Sequence, residues 1–205
     1  MARNSLLAAI LLVLLSACGS SHRQIDSVKG IHALYAPWDG LEDNTVFHCF
    51  RDGGTLYFFY EVEDESLTLT ENFRGEADVE PEDRVEIFFS STYDLTETYH
   101  CAEIDPLGRV MDYSCRYYAE MDYGWNFKTL ESWGRITDNG YIVGGKIALR
   151  ELSELGIDVR KTFYMGVFRA DFRPDRSVNW YSYVKTGDKA PNFHKPGVLF
   201  PVIIK

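Results

Sequence analysis

Residues 80–115 read EPEDRVEIFFSSTYDLTETYHCAEIDPLGRVMDYSC, and this stretch decides the fold class. Successive side chains of the segment 84–90 point in opposite directions, so that Val85, Ile87 and Phe89 face one way. Glu86 and Phe88 then face the other way. This pattern predicts a β-strand with one face in the core and the other face forming a platform.

A hairpin is predicted next in the same stretch. Residues 105–108, DPLG, place proline and glycine where a tight reversal needs them, with extended residues on both sides. The hairpin puts Glu86 and Glu103 on neighbouring strands. If both side chains point outward, the sheet presents carboxylates together with aromatic rings, which is the combination that a sugar-binding surface requires.

Strand signals recur along the rest of the chain. Further strands are predicted at 45–50, 55–62, 141–147, 162–172, 178–185 and 198–204. One short helix is predicted where Leu149, Leu152 and Leu155 share a face and Gly156 can end it. Many short strands, glycine-rich turns and one small helix predict an all-β fold, an antiparallel β-sandwich with jelly-roll or immunoglobulin-like layers.

The N-terminus has the pattern of a processed anchor. An apolar run at 6–15 follows a basic residue and is too short to span a bilayer, which is typical of a secretory signal peptide over 1–17. Leu-Ser-Ala-Cys then matches a bacterial lipobox ending at Cys18, the predicted site of lipidation. We expect a lipidated tether over 18–28 and one domain over 29–205, held at the bacterial cell envelope, at the outer membrane on its periplasmic or surface side.

Composition narrows the choice of partners. The formal net charge is −10 and no basic run is present, which argues against nucleic acid as a partner. The chain contains 13 Tyr, 13 Phe and 4 Trp, a high aromatic content that suits a sheet protein with exposed rings. Neutral glycans are compatible with both properties.

The cysteines are considered apart from the lipobox. With Cys18 assigned to lipid, Cys49, Cys101 and Cys115 remain. Direct pairing across the DPLG turn would set Cys101 opposite Asp112 and on the other side of the sheet from Cys115. We therefore expect buried free thiols, or at most one disulfide. Metal binding by these cysteines is the sharper alternative, but no CxxC or clustered His/Cys spacing supports it.

An ordered series of motifs gives the chain a resemblance to a known family. The motifs are LYFFYEVED (56–64), EDRVEIFF (82–89), AEIDPLG (102–108), DNGYIVGGKIALREL (138–152), GVFRADF (166–172) and WYSY…APNFHKPGVLF (180–200). In their order and spacing they resemble the family 9 carbohydrate-binding modules and their lipoprotein relatives, which are related to DOMON-type sandwiches. The resemblance implies a non-catalytic β-sandwich that holds one or two sugar units between aromatic rings, often with structural calcium and no other cofactor.

The resemblance also implies particular site residues. The aromatic residue of the closing motif falls on Phe193, flanked by Asn192 and His194. The acidic residue of the central strand falls on Glu86, and the strand after the polar hairpin offers Arg169.

Two positions depart from the family pattern. Glu80 stands where the family has its first stacking tryptophan, and Glu103 stands where an arginine is expected. The sugar is then expected to stack on Phe193, with Trp180, Tyr183 or Trp125 completing the cleft.

Each site residue also has a structural interpretation. Phe193 can be a core residue beneath the last strand, and Arg169 can form an ion pair with Asp171 or Glu86. The tryptophans can simply be buried, as large aromatic residues often are.

Two other functions stay open at this point. Glu86 and Glu103 could act as the acid and nucleophile of a glycosidase, which would need a defined separation of the two carboxyl groups. A DOMON-type haem domain would need axial ligands, for which Met111, Met165, His100 and His194 are the candidates, although core methionines are the simpler explanation.

The acidic segment 76–83 could bind calcium, but its spacing is not that of an EF-hand. A carbohydrate is the expected ligand, and glycoside hydrolases are possible partners.

Overall fold

A computed structural model describes residues 26–36, 41–185 and 187–203. The strands are β1 (Asp26–Ala36), β2 (Leu41–Asp52), β3 (Thr55–Glu63), β4 (Arg84–Ser90), β5 (Tyr99–Ile104), β6 (Val110–Arg116), β7 (Glu120–Asp122), β8 (Glu131–Thr137), β9 (Gly140–Ala148), β10 (Phe163–Phe172), β11 (Val178–Ser182) and β12 (Phe200–Val202). The described residues contain one short α-helix, α1 (Leu149–Glu154), which follows β9, and one 3-10 turn at Glu76–Val79. Within these ranges no helix has the length and apolar character needed to cross a membrane.

The predicted all-β sandwich is confirmed, and its strands are antiparallel. The first sheet has the order β7-β6-β5-β4-β10, with β11 and β12 both paired to β10. The second sheet has the order β1-β2-β3-β9-β8. The two meet along one edge, where β1 pairs with β11 at Tyr35 and Ser182. The sequence patterns did not predict β1, β7 or β8, and β1 begins at Asp26, inside the expected tether 18–28.

The core between the two sheets follows from alternation along the strands. Every second residue of β3 is buried, and Val85, Ile87 and Phe89 of β4 enter the same core from the other sheet. The Tyr60 hydroxyl donates a hydrogen bond of 2.8 Å to the Glu86 backbone oxygen and so connects the sheets. Full burial of one such apolar side chain contributes about 1.5–3 kcal/mol, which makes this core a main source of stability.

A second apolar cluster covers the outer face of the first sheet. We call it the outer cluster. Its members include Val79, Phe88, Leu95, Tyr99, Cys101, Met111, Tyr113, Cys115, Phe168, Phe193, Val198 and Leu199. The strands β4, β5, β6 and β10 supply one side of this cluster, and loop residues before β4, before β5 and before β12 supply the other. Both faces of the first sheet are therefore buried, which explains why every residue of β4 and β5 is buried.

The hairpin between β5 and β6 is confirmed, but the predicted direct pairing of Asp105 with Gly108 is wrong. The Asp105 N–H donates to the Arg109 carbonyl at 3.1 Å, so the loop holds three residues. Gly108 has φ of 83°, a left-handed conformation that suits glycine. The carboxylate of Asp105 stabilises this loop, because its Oδ1 accepts the N–H groups of Leu107 at 2.8 Å and Arg109 at 2.9 Å.

The longer loop changes which residues share a face. Cys101 lies opposite Tyr113, and Tyr99 lies opposite Cys115. Cys101 and Cys115 therefore lie on the same face, in the outer cluster. Both are buried free thiols, as is Cys49, which confirms the expectation of free cysteines.

Candidate functional site

A cavity of about 500 Å³ lies over the outer face of the first sheet. Its walls come from β4, β5, β6, β11, the residues that follow β6, and the loop at 191–194. This volume falls within the range of about 300–1,000 Å³ that is usual for small-ligand sites. The outer cluster supports it from below, so the cavity has a packed and ordered floor.

Three charged side chains on neighbouring strands occupy the cavity wall. Arg84 and Glu86 share a face of β4, and Glu103 is the direct cross-strand partner of Glu86 on β5. The Arg84 Nε atom lies 3.2 Å from Glu86 Oε1 and 2.5 Å from Glu103 Oε2. Arg84 Nη1 also donates to the Glu80 carbonyl oxygen at 2.6 Å. One guanidinium therefore holds two buried carboxylates and fixes the loop before β4.

Burial controls the electrostatics of this triad, which we define as Arg84, Glu86 and Glu103. The exposed fractions of Glu86 and Glu103 are only 2% and 5%. Burial raises the pKa of both carboxyls, and their mutual repulsion raises the pKa of Glu86 further, while Arg84 acts in the opposite direction. A single arginine cannot neutralise both carboxylates, so the triad binds a proton more readily than free glutamates do.

A chain of hydrogen bonds leads from the triad to the loop at 191–194. The Tyr113 hydroxyl donates to Glu103 Oε1 at 2.8 Å, and it lies 3.4 Å from His194 Nε2. His194 Nδ1 lies 3.0 Å from the Tyr99 hydroxyl, which accepts from the Cys115 thiol at 2.9 Å. Burial lowers the pKa of His194 to about 4, so its ring is neutral at pH 7. These bonds fix the orientation of Glu103 and of the loop.

Aromatic rings form the remaining walls. Phe193 stacks on Phe168 with centroids 4.2 Å apart and planes 16° apart, and it meets Trp180 edge-on at 5.6 Å. Tyr118 and Tyr123 stand at the rim, with exposed fractions of 58% and 57%. The cavity thus combines buried rings at its base with accessible rings at its mouth, both suited to the apolar face of a ligand.

Six of the nine residues predicted to bind ligand line this cavity. They are Glu86, Glu103, Trp180, Asn192, Phe193 and His194. Asn192 is fixed by two hydrogen bonds: its Oδ1 accepts the His194 N–H at 2.9 Å, and its Nδ2 donates to the Tyr118 hydroxyl at 3.2 Å. Glu80, where the family pattern has a stacking tryptophan, lies at the rim as well.

The other three predicted residues lie elsewhere. Arg169 points between the sheets, where its Nη1 lies 2.8 Å from Asp43 and its Nη2 lies 2.6 Å from Asp64. Tyr183 and Trp125 pack against the core between the sheets, Tyr183 on Phe200 with centroids 4.8 Å apart. Arg169 is a structural ion-pair residue, although its close partners are Asp43 and Asp64, with Asp171 only at 4.0 Å and Glu86 not a partner. Trp125 has the packing role that was its structural interpretation, and Tyr183, predicted only as a site residue, also packs against the core.

Sequence reasoning missed several residues that line the cavity. Those with a charged group or an aromatic ring are Arg84, Tyr113, Tyr118 and Tyr123. The signal for Arg84 was present, since it lies two positions before Glu86 and shares its face. Tyr113 required the correct hairpin register, and the two rim tyrosines follow β6 in a region without strand periodicity.

The chain shares its fold with a proposed carbohydrate-binding protein from Bacteroides uniformis. The TM-score is 0.68 at 15% sequence identity, and the match covers 93% of this chain and 89% of that chain. At this identity the likeness shows the fold alone. No family model matches the chain, and neither does any curated protein. Membership of the family 9 modules therefore stays a prediction from the motifs.

Only two of the four residues proposed as haem ligands lie in the same cavity. Met111 and His194 line the cavity, whereas Met165 lies in the core between the sheets. His100 packs between that core and Trp125, with ring centroids 4.6 Å apart. Both ring nitrogens of His194 face tyrosine hydroxyls, Nδ1 at 3.0 Å from Tyr99 and Nε2 at 3.4 Å from Tyr113.

The structural calcium implied by the resemblance can be tested against one cluster of carboxylates. Asp64, Asp83 and Asp171 each place an oxygen within 4.8 Å of the others, and Asp83 and Asp171 are fully buried. Asp171 Oδ1 has no hydrogen-bond partner and lies 4.0 Å from Arg169 Nη2, while Oδ2 of the same carboxylate lies 2.8 Å from Arg173 Nη2. Asp83 is bound by backbone N–H groups only. Buried carboxylates in surplus over arginines fit a hard cation such as Ca²⁺. Of the acidic segment 76–83, only Asp83 belongs to this cluster.

Calcium is expected to stabilise the protein through this cluster. Burial, with repulsion from Asp64 and Asp171, raises the pKa of Asp83 to about 7. Because this folded-state pKa lies above the unfolded value, ionisation of Asp83 costs stability as pH rises from about 4 through 7. Calcium at 100 times its Kd adds about 2.7 kcal/mol, and we expect a larger rise in Tm at pH 8 than at pH 5.

Thermal melts with calcium and with EDTA measure this effect. Asp83→Asn should remove the calcium response, while Asp158→Asn, at a carboxylate outside the cluster, should keep it. A wild-type Tm that is identical with calcium and with EDTA at pH 8 would rule out the site.

Proposed function

We propose that the protein is a non-catalytic saccharide-binding protein that holds one or two sugar units in the cavity. The observation that carries this proposal is the combination of aromatic rings with a fixed arginine–carboxylate triad in one cavity. A pyranose presents C–H groups to an aromatic ring and hydroxyls around its edge, and charged partners make strong hydrogen bonds to such hydroxyls. The wall and the triad offer these two kinds of contact to the same ligand.

Two further points support the proposal. The protein from Bacteroides uniformis that shares this fold is itself proposed to bind carbohydrate. The motif resemblance to family 9 modules points to the same class of ligand, and on this proposal the stacking surface is Phe193 with Trp180 in place of two tryptophans.

Glycoside hydrolysis is the second candidate, because both carboxylates reach the cavity. In most glycosidases the two carboxyl groups flank the scissile bond. Here Glu86 and Glu103 are cross-strand neighbours on one wall and share the guanidinium of Arg84. This arrangement suits hydrogen bonding to one side of a sugar better than attack from one side and protonation from the other. Release of reducing ends from oligosaccharides by the purified protein would favour the enzyme.

A rim tyrosine separates binding from stability. Tyr123→Ala removes an exposed ring that lines the cavity, so we expect saccharide affinity to fall by about 1–2 kcal/mol while Tm changes little. The matched control is Tyr93→Ala, which removes a ring of similar exposure outside the cavity lining. Calorimetry with glycans selected on an array provides the affinities. Equal affinity for the Tyr123 variant, the Tyr93 variant and the wild type would place the binding site elsewhere.

We propose further that Cys18 carries lipid and anchors the protein at the bacterial cell envelope. This residue and the signal sequence 1–17 lie outside the described residues, so the support comes from the lipobox alone. At the outer membrane such a protein would present polysaccharide to partner glycoside hydrolases. Cys18→Ser is expected to abolish metabolic labelling with a fatty acid, and label retained on the variant would refute the anchor.

A further inference from the structure

The cavity contains more negative than positive charge. Glu80, Glu86 and Glu103 line it, and Arg84 is the one basic side chain that does so among the described residues. His194 adds no charge at pH 7, because burial lowers its pKa to about 4. The single guanidinium is shared between two buried carboxylates. When both are ionised, the triad retains one negative charge without a counter-charge, and Glu80 adds another at the rim.

Like the surplus of carboxylates, the aromatic lining favours a positively charged ligand. The rings of Tyr113, Tyr118, Tyr123, Trp180 and Phe193 line the cavity. The face of an aromatic ring is the negative end of its quadrupole and attracts cations. Trp180 already shows this interaction, since the Arg84 guanidinium carbon lies 5.4 Å from its ring centroid.

We propose that the saccharide preferred by this cavity carries a protonated amine, as a 2-amino-2-deoxyhexose unit does. This inference rests on the proposed saccharide-binding function. The ammonium group lies against Glu86 and Glu103 and supplies the counter-charge that Arg84 alone cannot. Its three N–H donors match carboxylate oxygens, while the sugar ring packs on Phe193 and Trp180.

The same charges discriminate against other sugars. A neutral hexose gains the ring contacts and hydroxyl hydrogen bonds but brings no cation, so Glu86, whose pKa is raised to about 8 by burial and by Glu103, stays protonated and makes no ion pair with the ligand. A uronic acid adds a carboxylate to a cavity that already contains three, and like charges at short range in a poorly solvated site repel strongly. The expected order of affinity is therefore amino sugar, then neutral sugar, then acidic sugar.

Four β-1,4-linked tetrasaccharides of equal length test this order: those of glucosamine, N-acetylglucosamine, glucose and glucuronic acid. We expect calorimetry on the purified full chain to show at least tenfold tighter binding of the glucosamine tetramer than of the glucose tetramer. Binding of the glucuronic acid tetramer should be undetectable. The N-acetylated tetramer should lose the advantage, because acetylation removes the charge but keeps the nitrogen.

Charge-removing variants assign the effect to the triad. Glu86→Gln and Glu103→Gln keep the shape of the side chain, and each should bring the glucosamine-to-glucose affinity ratio close to one. Glu97→Gln, at an exposed position outside the cavity lining, should leave the ratio of the wild type.

The outcomes separate this inference from the function on which it rests. Equal affinities for the glucosamine and glucose tetramers, or tightest binding of the acidic tetramer, would overturn the amine preference and leave saccharide binding intact. Absence of binding to all four tetramers and to a glycan array would overturn both.

Discussion

Replacing Arg84 with methionine is expected to lower the free energy of unfolding by about 3–5 kcal/mol. The substitution leaves Glu86 and Glu103 buried without their shared counter-charge, and it removes the bond from Nη1 to the Glu80 carbonyl. Loss of the cation also raises the pKa of both carboxyls further, so the destabilisation should grow as pH rises. Urea unfolding followed by tryptophan fluorescence at several pH values measures it.

A compensating variant tests the cause. Combining Arg84→Met with Glu86→Gln and Glu103→Gln removes all three buried charges, and it should recover most of the lost stability because no uncompensated charge remains. If Arg84→Met alone costs less than about 1 kcal/mol, the triad is better solvated than its burial implies, and the charge argument fails.

Replacing Phe193 with alanine is expected to cost about 3–5 kcal/mol of stability and to abolish measurable saccharide binding. The ring is 6% exposed, and it packs on Phe168 while lining the cavity. Phe193 is therefore both a core residue and a residue of the proposed binding site. Its removal leaves a void in the outer cluster and takes away the proposed stacking surface at once.

Phe193→Leu distinguishes these two contributions. Leucine keeps most of the apolar volume, so we expect a stability loss of no more than about 1.5 kcal/mol. It has no aromatic face, so saccharide affinity should still fall by about 1 kcal/mol or more. Thermal melts and calorimetry on both variants provide the comparison. If Phe193→Leu binds saccharide as tightly as the wild type, Phe193 has only a packing role.

The alternation in β4 was a reliable guide because its cause is local. Successive side chains of a strand point to opposite faces, so Glu86 had to lie opposite Val85 and Ile87 whatever the rest of the chain did. The order of the predicted strands put Glu86 and Glu103 on neighbouring strands, but the register that pairs them directly came only from the structure. It could not reveal that both faces of β4 are buried, because part of the cover over the outer face, Phe193, Val198 and Leu199, comes from about 100 positions further along the chain.

Arg169 shows the limit of motif reasoning. The motif GVFRADF predicts that Arg169 binds ligand. The odd-numbered residues of β10 from Phe163 to Asp171 face the space between the sheets, however, and Arg169 is one of them. A buried arginine there requires carboxylates from distant parts of the chain, which Asp43 and Asp64 supply. No pattern in the local sequence states which carboxylates will meet which arginine.

By itself the sequence determined the antiparallel sandwich, the short helix after β9, and the placement of two glutamates on neighbouring strands. Each of these depends on periodicity or on turn chemistry within a few residues. Only the tertiary structure decided that Arg84 joins those glutamates, that Phe193 reaches them from the far end of the chain, and that Tyr183 and Trp125 do not. The physical reason is that a cavity is made where distant segments pack together, and side-chain contacts between such segments depend on strand order and hairpin register, which local patterns do not encode.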